Sequence, residues 1–274
     1  MMFRRLRNIF SDGSQNDPNA SSSDSAEESE ATLLSRWSSR SVADRDVEIF
    51  IPKSEEPARS AVLFLHGHGG ICLSDNATYS RLFQQHNLIA VAPDGGQSWW
   101  LDCPAPDFDP ELTPQQWLLS ALIPFVEAEF QIAPPQIALL GVSMGGQGVL
   151  QLAYRHASRF PVVSAVAPAV DFDQLYGSGI PLDQMFPDAE SARQSTVVLN
   201  LHPLSWPRHQ FFCCDPEDVD WIDGAARLGM KLSSSGILHE RDLQTSAGGH
   251  SWDYFNYMAD AAMDNIVKGL QSVE

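Results

Sequence analysis

A serine between glycines, in residues 141–146 (GVSMGG), is the part of this chain whose pattern points most clearly to chemistry. The run before it (QIALL) is mostly apolar, which is typical of a strand buried in a parallel sheet, and the residues after it have helical spacing. A turn from strand into helix is crowded, and Gly141 and Gly145 avoid the clashes of a Cβ atom. We therefore expect Ser143 to project its hydroxyl beside a helix N-terminus whose amides stabilise an anion.

A serine hydroxyl is a weak nucleophile that needs a base to take its proton during attack. The base is usually a histidine oriented by a carboxylate, in the chain order serine, acid, histidine on a sheet of this kind. Of the eight histidines, His250 fits best. It lies in a loop with two preceding glycines (AGGHSW, residues 247–252), after the last expected strand and before the last expected helix.

The acid is expected in residues 214–219 (CDPEDV), which follow an apolar strand pattern. Asp218 is the preferred candidate, because it lies a few residues beyond the strand end, where a loop can turn back toward His250. Asp215 lies at the strand end itself. It is the alternative acid, or else its side chain caps the turn that contains Pro216.

The oxygen that becomes negative when a serine attacks a carbonyl group needs hydrogen-bond donors. One backbone N–H is expected from Met144, the residue after the serine. The second is expected from the loop at residues 66–70 (HGHGG), whose glycines leave its amides uncrowded. By position, the backbone N–H of His68 is the best candidate in that loop.

Apolar strand patterns alternate with helical patterns along most of the chain, which predicts a parallel sheet covered by helices on both faces. An acidic, Ser-rich tail over residues 1–42 is expected to be disordered. Residues 43–274 are expected to form one domain, with an irregular excursion over 171–207. Strands are predicted at 47–52, 60–65, 88–93, 136–140, 162–167, 210–214 and 239–244, and helices at 79–86, 114–130, 145–156, 225–232 and 252–270.

Composition limits the classes of function. With 274 residues, of which 43% are hydrophobic, the chain can bury a sizeable core, and its formal net charge of -18 argues against a nucleic-acid partner. The four cysteines are too few for a disulfide scaffold and fit a reducing compartment. No metal-ligand spacing and no run long enough to span a membrane is present. We expect a cytoplasmic protein without an integral membrane span and without a bound metal.

Taken together, these motifs resemble the α/β-hydrolase superfamily, and more narrowly its esterase D-like branch of S-formylglutathione hydrolases and feruloyl and acetyl-xylan esterases. The resemblance implies an eight-stranded, mostly parallel sheet, little or no cap domain, a Ser–Asp–His triad and no cofactor. One position departs from the family pattern, because Asp215 stands where a glycine usually precedes the acid. The matching residues are 66–70, 93–95, 98–100, 141–146, Asp218 and 249–252.

The resemblance also implies a serine esterase that acts on a small ester through an acyl-enzyme. Hydrolysis of a thioester, as in S-formylglutathione hydrolases, and acyl transfer to a sugar are alternatives on the same residues. A binding or scaffold protein that keeps the fold without catalysis is an alternative of another class. Trp99 and Trp100 are expected to line the substrate pocket, with core packing of at least one of them as the alternative. The oligomeric state is not predicted.

Overall fold

The computed structural model describes residues 29–273, and its centre is an eight-stranded sheet. Every residue in the four central strands is buried, as expected for strands that are covered on both faces. In chain order the strands are β1 Trp37–Val42, β2 Arg45–Phe50, β3 Ser60–Leu65, β4 Leu88–Pro93, β5 Ile137–Val142, β6 Val162–Val166, β7 His209–Cys213 and β8 Glu240–Asp242.

Across the sheet the strands lie in the order β1-β2-β4-β3-β5-β6-β7-β8. Strand β2 pairs antiparallel with β1 and with β4, and all pairs from β4 to β8 are parallel. Parallel strands end at the same edge of a sheet, so the loops after β3, β5, β7 and β8 meet there. The strand order and directions confirm the predicted fold.

Helices connect the strands and cover the sheet. α5 packs on β3, β5 and β6, whereas α10 packs on β5, β6 and β7 and also contacts α2. A wider π-helical turn, Leu118–Leu122, joins α3 to α4, so the helix predicted over 114–130 is continuous. The helices are α1 Glu30–Leu34, α2 Ala77–Gln85, α3 Pro114–Trp117, α4 Ile123–Phe130, α5 Met144–Arg155, α6 Leu182–Met185, α7 Ala189–Gln194, α8 Ile222–Ser234, α9 Trp252–Tyr257 and α10 Ala259–Ser272.

The structured domain begins earlier than the predicted boundary at residue 43. Both α1 and β1 lie within the predicted tail, and β1 pairs with β2 along its whole length. The Trp37 ring packs on Phe50 and Phe83 at centroid distances of 5.5 and 6.3 Å, and its N–H donates to a serine hydroxyl in α2. The sequence of β1 (WSSRSV) is mostly polar and therefore resembles that of a loop. Such a sequence can still form a strand here, because an exposed edge strand needs few apolar residues. Residues 1–28 of the predicted tail lie outside the described residues.

Two further segments refine the prediction. The helix predicted over 252–270 is divided into α9 and α10, which meet at Met258, where ψ is 0°. The predicted excursion between β6 and β7 contains only α6, α7 and two short 3-10 helices, Phe172–Leu175 and Val197–Leu199. None of the helices within residues 29–273 combines the length and the apolar composition that crossing a bilayer requires.

The packing of β1 generates a test of the domain boundary. Replacing the half-buried Trp37 by alanine removes its ring contacts, and we expect the free energy of unfolding to fall by about 2–3 kcal/mol. Urea unfolding measures the loss. The control is Ser39→Ala on the exposed side of the same strand, which should change stability by less than about 0.5 kcal/mol. Equal stability of the two variants would mean that β1 does not contribute to the folded domain.

Candidate active site

Ser143 lies at the turn between β5 and α5, in a backbone conformation that few residues other than glycine adopt. Its φ is 55° and its ψ is -121°, so the surrounding packing has to hold a strained residue in place. A Cβ atom at Gly145 would lie 1.8 Å from the carbonyl oxygen of Leu65, and one at Gly141 would lie 2.3 Å from the carbonyl oxygen of Gly145. Gly145 is required because α5 begins directly against the end of β3, and Gly141 is required because the first turn of α5 lies against the end of β5.

The imidazole of His250 connects Ser143 with Asp218. Its Nε2 lies 2.8 Å from the Oγ of Ser143, and its Nδ1 lies 2.7 Å from the Oδ2 of Asp218. Both distances are those of well-formed hydrogen bonds. Because a carboxylate only accepts, Nδ1 carries the proton, which leaves Nε2 able to accept a proton from the serine.

Asp218 sits in a closed environment, with 2% of its surface exposed. Its Oδ1 accepts a hydrogen bond from the backbone N–H of Trp221 at 3.3 Å, and the thiol of Cys214 lies 3.6 Å from Oδ2. Burial raises the pKa of the Cys214 thiol, so this group stays neutral and acts as a weak donor. These partners and the imidazole compensate for the removal of the carboxylate from water.

Asp215, the alternative acid, directs its carboxylate to other partners. Its Oδ1 accepts from the N–H of Glu217 at 2.8 Å, and its Oδ2 accepts from the N–H groups of Ala247 and Gly249 at 2.7 and 2.9 Å. Burial raises the pKa of this carboxyl, but the N–H donors outweigh that effect and the pKa lies below its ordinary value. Of the two candidate acids, the structure brings Asp218 to the imidazole.

The loop after β3 lies against the serine, since a Cβ atom at Gly67 would be 3.2 Å from the Cβ of Ser143. The fully buried ring of His66 fixes this loop. Its Nδ1 donates to the carbonyl oxygen of Gly67 at 2.7 Å, and its Nε2 accepts from the N–H of Gly95 at 3.0 Å. His66 therefore ties the loop after β3 to the loop after β4, a role that the sequence motif does not reveal.

The two expected oxyanion donors belong to elements that border the serine. Met144 is the first residue of α5, and N–H groups in the first turn of a helix have no acceptor within the helix. His68 lines the same two cavities as Ser143. Burial lowers the pKa of the His68 imidazole, which keeps the ring neutral as part of the cavity wall.

The two tryptophans expected in the pocket have different surroundings. Trp99 lines the larger of the two cavities at Ser143, although only 1% of its surface is exposed. Trp100 is fully buried, and a Cβ atom at Gly95 or Gly148 would lie 2.3 or 2.4 Å from its side chain. The expectation of a pocket position is therefore corrected for Trp100. It is a core residue, because its ring fills the space between the loop after β4 and α5.

Two buried glutamines hold this pair of tryptophans in place. Trp99 and Trp100 have φ values of 57° and 52°, which are unusual for bulky residues. The side-chain amide of Gln147 donates to the carbonyl oxygen of Trp99, and that of Gln115 donates to the carbonyl oxygen of Trp100 at 3.0 Å. Neither glutamine can be recognised as a positioning residue from its local sequence alone. The available signal is a polar residue on the apolar face of a predicted helix.

Two cavities open beside Ser143. The smaller, about 210 Å³, has a mainly apolar wall that includes Ile71, Trp252 and Phe255. The larger, about 410 Å³, has apolar and polar residues in its wall, among them Trp99, Leu175, Ile180, Trp221, Gln174, Ser178 and Asp220. Within residues 29–273, no cluster of three or more His, Cys, Asp or Glu side chains is arranged to hold a metal ion.

The sheet order, the strained turn after β5 and the hydrogen-bonded side chains at the carboxyl edge define an α/β-hydrolase. An esterase family model matches residues 38–262, which is most of the chain. The chain therefore belongs to the esterase family, and the predicted class of carboxylic-ester hydrolase is confirmed. The predicted resemblance to the esterase D-like branch is confirmed as well.

Individual relatives agree with this assignment. An acetyl esterase of Caldicellulosiruptor saccharolyticus is 24% identical over 225 residues, covering 72% of this chain and 79% of that protein. An S-formylglutathione hydrolase of Agrobacterium tumefaciens is similar in structure, with a TM-score of 0.72, 16% identity, and coverage of 85% of this chain and 94% of that chain. A fluorophosphonate-binding serine hydrolase of Staphylococcus aureus has a TM-score of 0.68, 13% identity, and coverage of 81% and 92%. These structural likenesses show a shared fold.

The close approach of α5 to β3 predicts the effect of adding one methyl group. In Gly145→Ala, the new Cβ atom collides with a main-chain oxygen that cannot rotate away, and we expect a loss of about 1–3 kcal/mol or more of stability. Thermal and urea unfolding measure it. Gly69→Ala is the matched control, because a Cβ atom at that position meets nothing within 4 Å. Unchanged stability of Gly145→Ala would contradict the steric account of the turn.

Proposed function

We propose that this protein hydrolyses uncharged carboxylic esters through an acyl-enzyme formed on Ser143. The observation that carries the proposal is the unbroken pair of hydrogen bonds from Ser143 Oγ to His250 Nε2 and from His250 Nδ1 to Asp218 Oδ2, at 2.8 and 2.7 Å. Such a pair allows the serine to lose its proton to the imidazole as its oxygen attacks. The esterase family assignment supports the same reaction.

In the first half-reaction, Ser143 Oγ bonds to the carbonyl carbon of the ester while His250 Nε2 takes the serine proton. Asp218 stabilises the resulting imidazolium through its hydrogen bond to Nδ1. The backbone N–H groups of Met144 and His68 donate to the carbonyl oxygen as it becomes negative. The tetrahedral intermediate then collapses, the bond to the alcohol oxygen breaks, and His250 returns the proton to the departing alcohol.

In the second half-reaction, water replaces the alcohol. The water oxygen attacks the acyl carbon while His250 takes a proton from the water. The second tetrahedral intermediate then collapses and releases the carboxylic acid. The proton on His250 returns to Ser143 Oγ. The net reaction consumes one ester and one water, yields one acid and one alcohol, and needs no electron acceptor or donor.

The charge around the serine favours an uncharged substrate. Among the described residues that line the two cavities at Ser143, none is a lysine or arginine, and one, Asp220, carries a carboxylate. An anionic group entering these cavities would lose hydration without gaining a cationic partner. The formal net charge of -18 adds a long-range repulsion. A neutral ester is therefore preferred to an anionic thioester, such as one that carries glutathione.

The alternative of another class, a scaffold without catalysis, fits the site poorly. Ser143 is held in a strained conformation at φ 55°, and such strain persists where function requires it. A site without catalytic use has no reason to keep a buried carboxylate, an imidazole and a serine hydroxyl in line. Acyl transfer to a sugar would share the first half-reaction, with a sugar hydroxyl in place of water.

Removal of each reacting group tests the proposed mechanism. We expect Ser143→Ala and His250→Ala each to lower kcat for p-nitrophenyl acetate by roughly 10⁶-fold, because the two groups act as one unit. Asp218→Asn should lower kcat by about 10⁴-fold, since it disturbs the tautomer of the imidazole. The histidine control is His202→Ala, which lies outside both cavities and should keep normal turnover.

Covalent labelling provides the second readout of this experiment. A fluorophosphonate should label the folded protein, and peptide mass analysis should locate the adduct on Ser143. The Ser143→Ala variant should remain unlabelled. A folded wild-type protein that neither reacts with the fluorophosphonate nor hydrolyses esters would favour the scaffold alternative.

The carboxylate of Asp220 in the cavity wall predicts a change in substrate preference when it is removed. At low ionic strength, Asp220→Asn should raise kcat/KM for an ester with an anionic leaving group about 2–5-fold, and salt should abolish the difference because exposed charges are screened. Turnover of an uncharged ester should not change. Asp223→Asn, an exposed carboxylate outside both cavities, is the control. A higher kcat/KM of the wild type for anionic than for neutral esters of the same acyl group would refute the preference.

A further inference from the structure

We propose that Asp215 is a positioning residue that holds the loop carrying His250 in its catalytic geometry. The inference rests on the proposed role of His250 as the base. The carboxylate of Asp215 reaches from the end of β7 to the loop between β8 and α9, where it accepts two of its hydrogen bonds. It therefore joins two segments that are more than thirty residues apart in the chain.

The loop before His250 is shaped to bind this carboxylate. Gly248 and Gly249 have φ values of 104° and 67°, a region that favours glycine. In this conformation the N–H groups of Ala247 and Gly249 converge on a single oxygen, Oδ2 of Asp215, at 2.7 and 2.9 Å. Backbone N–H groups that converge in this way form an anion-binding concavity. The two glycines thus permit the loop to wrap around a charge supplied by another strand.

The burial of Asp215 makes this contact costly to lose. None of its surface is exposed, and a buried charge without partners is strongly unfavourable. Three backbone donors, including the N–H of Glu217, stabilise the ionised form. Hydrogen bonds to an ionised acceptor are roughly twice as strong as neutral ones. If the loop moved away, the N–H donors of Ala247 and Gly249 and the side-chain hydrogen bond from Ser246 would be lost, and the charge would remain in the protein interior.

The hydrogen bonds between Asp215 and the loop lie next to His250 in the chain. His250 directly follows Gly249, whose N–H is bound to Asp215, and it directly precedes Ser251, whose side chain caps α9. The base is therefore anchored on both sides along the chain. Since a displacement of about 1 Å can cost about 100-fold in rate, this anchoring bears directly on the 2.8 Å approach of Nε2 to Ser143 Oγ.

The same loop after β7 supplies both carboxylates, and each has its own task. Asp218 binds the imidazole, while Asp215 binds the main chain that carries it. Asp215 does not touch the reacting atoms and is not a proton carrier in the proposal.

The main experiment compares Asp215→Asn with a matched carboxylate elsewhere. Asparagine keeps the size of the side chain but presents an amide nitrogen to backbone donors, so we expect kcat to fall by about 10–100-fold with KM changed by less than about 3-fold. The control is Asp109→Asn. Asp109 also accepts two backbone hydrogen bonds, from Glu111 and Leu112, but lies outside both cavities, so its kcat should stay at the wild-type value.

A double variant separates positioning from a general loss of stability. If Asp215 acts through His250, then adding Asp215→Asn to His250→Ala should leave the residual rate unchanged, whereas an independent effect would lower it further. Wild-type turnover in His250→Ala would refute the proposed function itself. An inactive His250→Ala together with a fully active, folded Asp215→Asn would overturn this inference alone.

The wild-type protein provides a measurement that does not depend on the folding of any variant. Amide hydrogen exchange should find the N–H groups of Ala247 and Gly249 protected by about 100-fold or more relative to an unstructured peptide. Fast exchange of both amides in the native protein would overturn the inference, because a loop that opens freely is not held by Asp215.

Discussion

The candidate active site depends on the two hydrogen bonds of one imidazole ring. His250 and Ser143 are 107 positions apart in the chain, and His250 and Asp218 are 32 apart, yet the ring binds both within 2.8 Å. A parallel sheet makes this possible, because the strands β5, β7 and β8 end at the same edge and deliver their loops to one place. The order of the strands, more than any single contact, decides which distant side chains can meet.

The convergence of these side chains requires main-chain segments to approach each other more closely than a Cβ atom between them would allow. The start of α5 lies against the end of β3, and only glycine fits at positions 141 and 145. The same closeness brings the loop with His66 and Gly67 against the serine, where the proposed mechanism places an oxyanion donor. Main-chain hydrogen bonds and close contacts on several sides thus hold Ser143 in its strained backbone conformation.

Local patterns predicted the central strands, the turn at Ser143 and the candidates for base and acid, because each depends on periodicity or on a steric need for glycine. Long-range contacts were harder to predict. The edge strand β1 lacks an apolar pattern, and its apolar contacts with the core come from its two ends, Trp37 and Val42. Nothing local distinguishes Trp99, beside the cavity, from Trp100 in the core. The roles of His66 and Gln147 depend on partners in other loops, which a single sequence does not reveal.

The neighbouring carboxylates at the end of β7 illustrate why chemical type alone does not assign a role. Asp215 and Asp218 are both almost fully buried, three positions apart, and both ionisable. Two like charges this close are tolerated because each is compensated separately, one by backbone dipoles and the other by an imidazole ring that becomes cationic in the proposed reaction. The backbone hydrogen bonds of Asp215 are present throughout, whereas the compensation of Asp218 would increase in the proposed step in which His250 takes a proton. The first carboxylate therefore suits a fixed contact and the second suits the stabilisation of a transient charge.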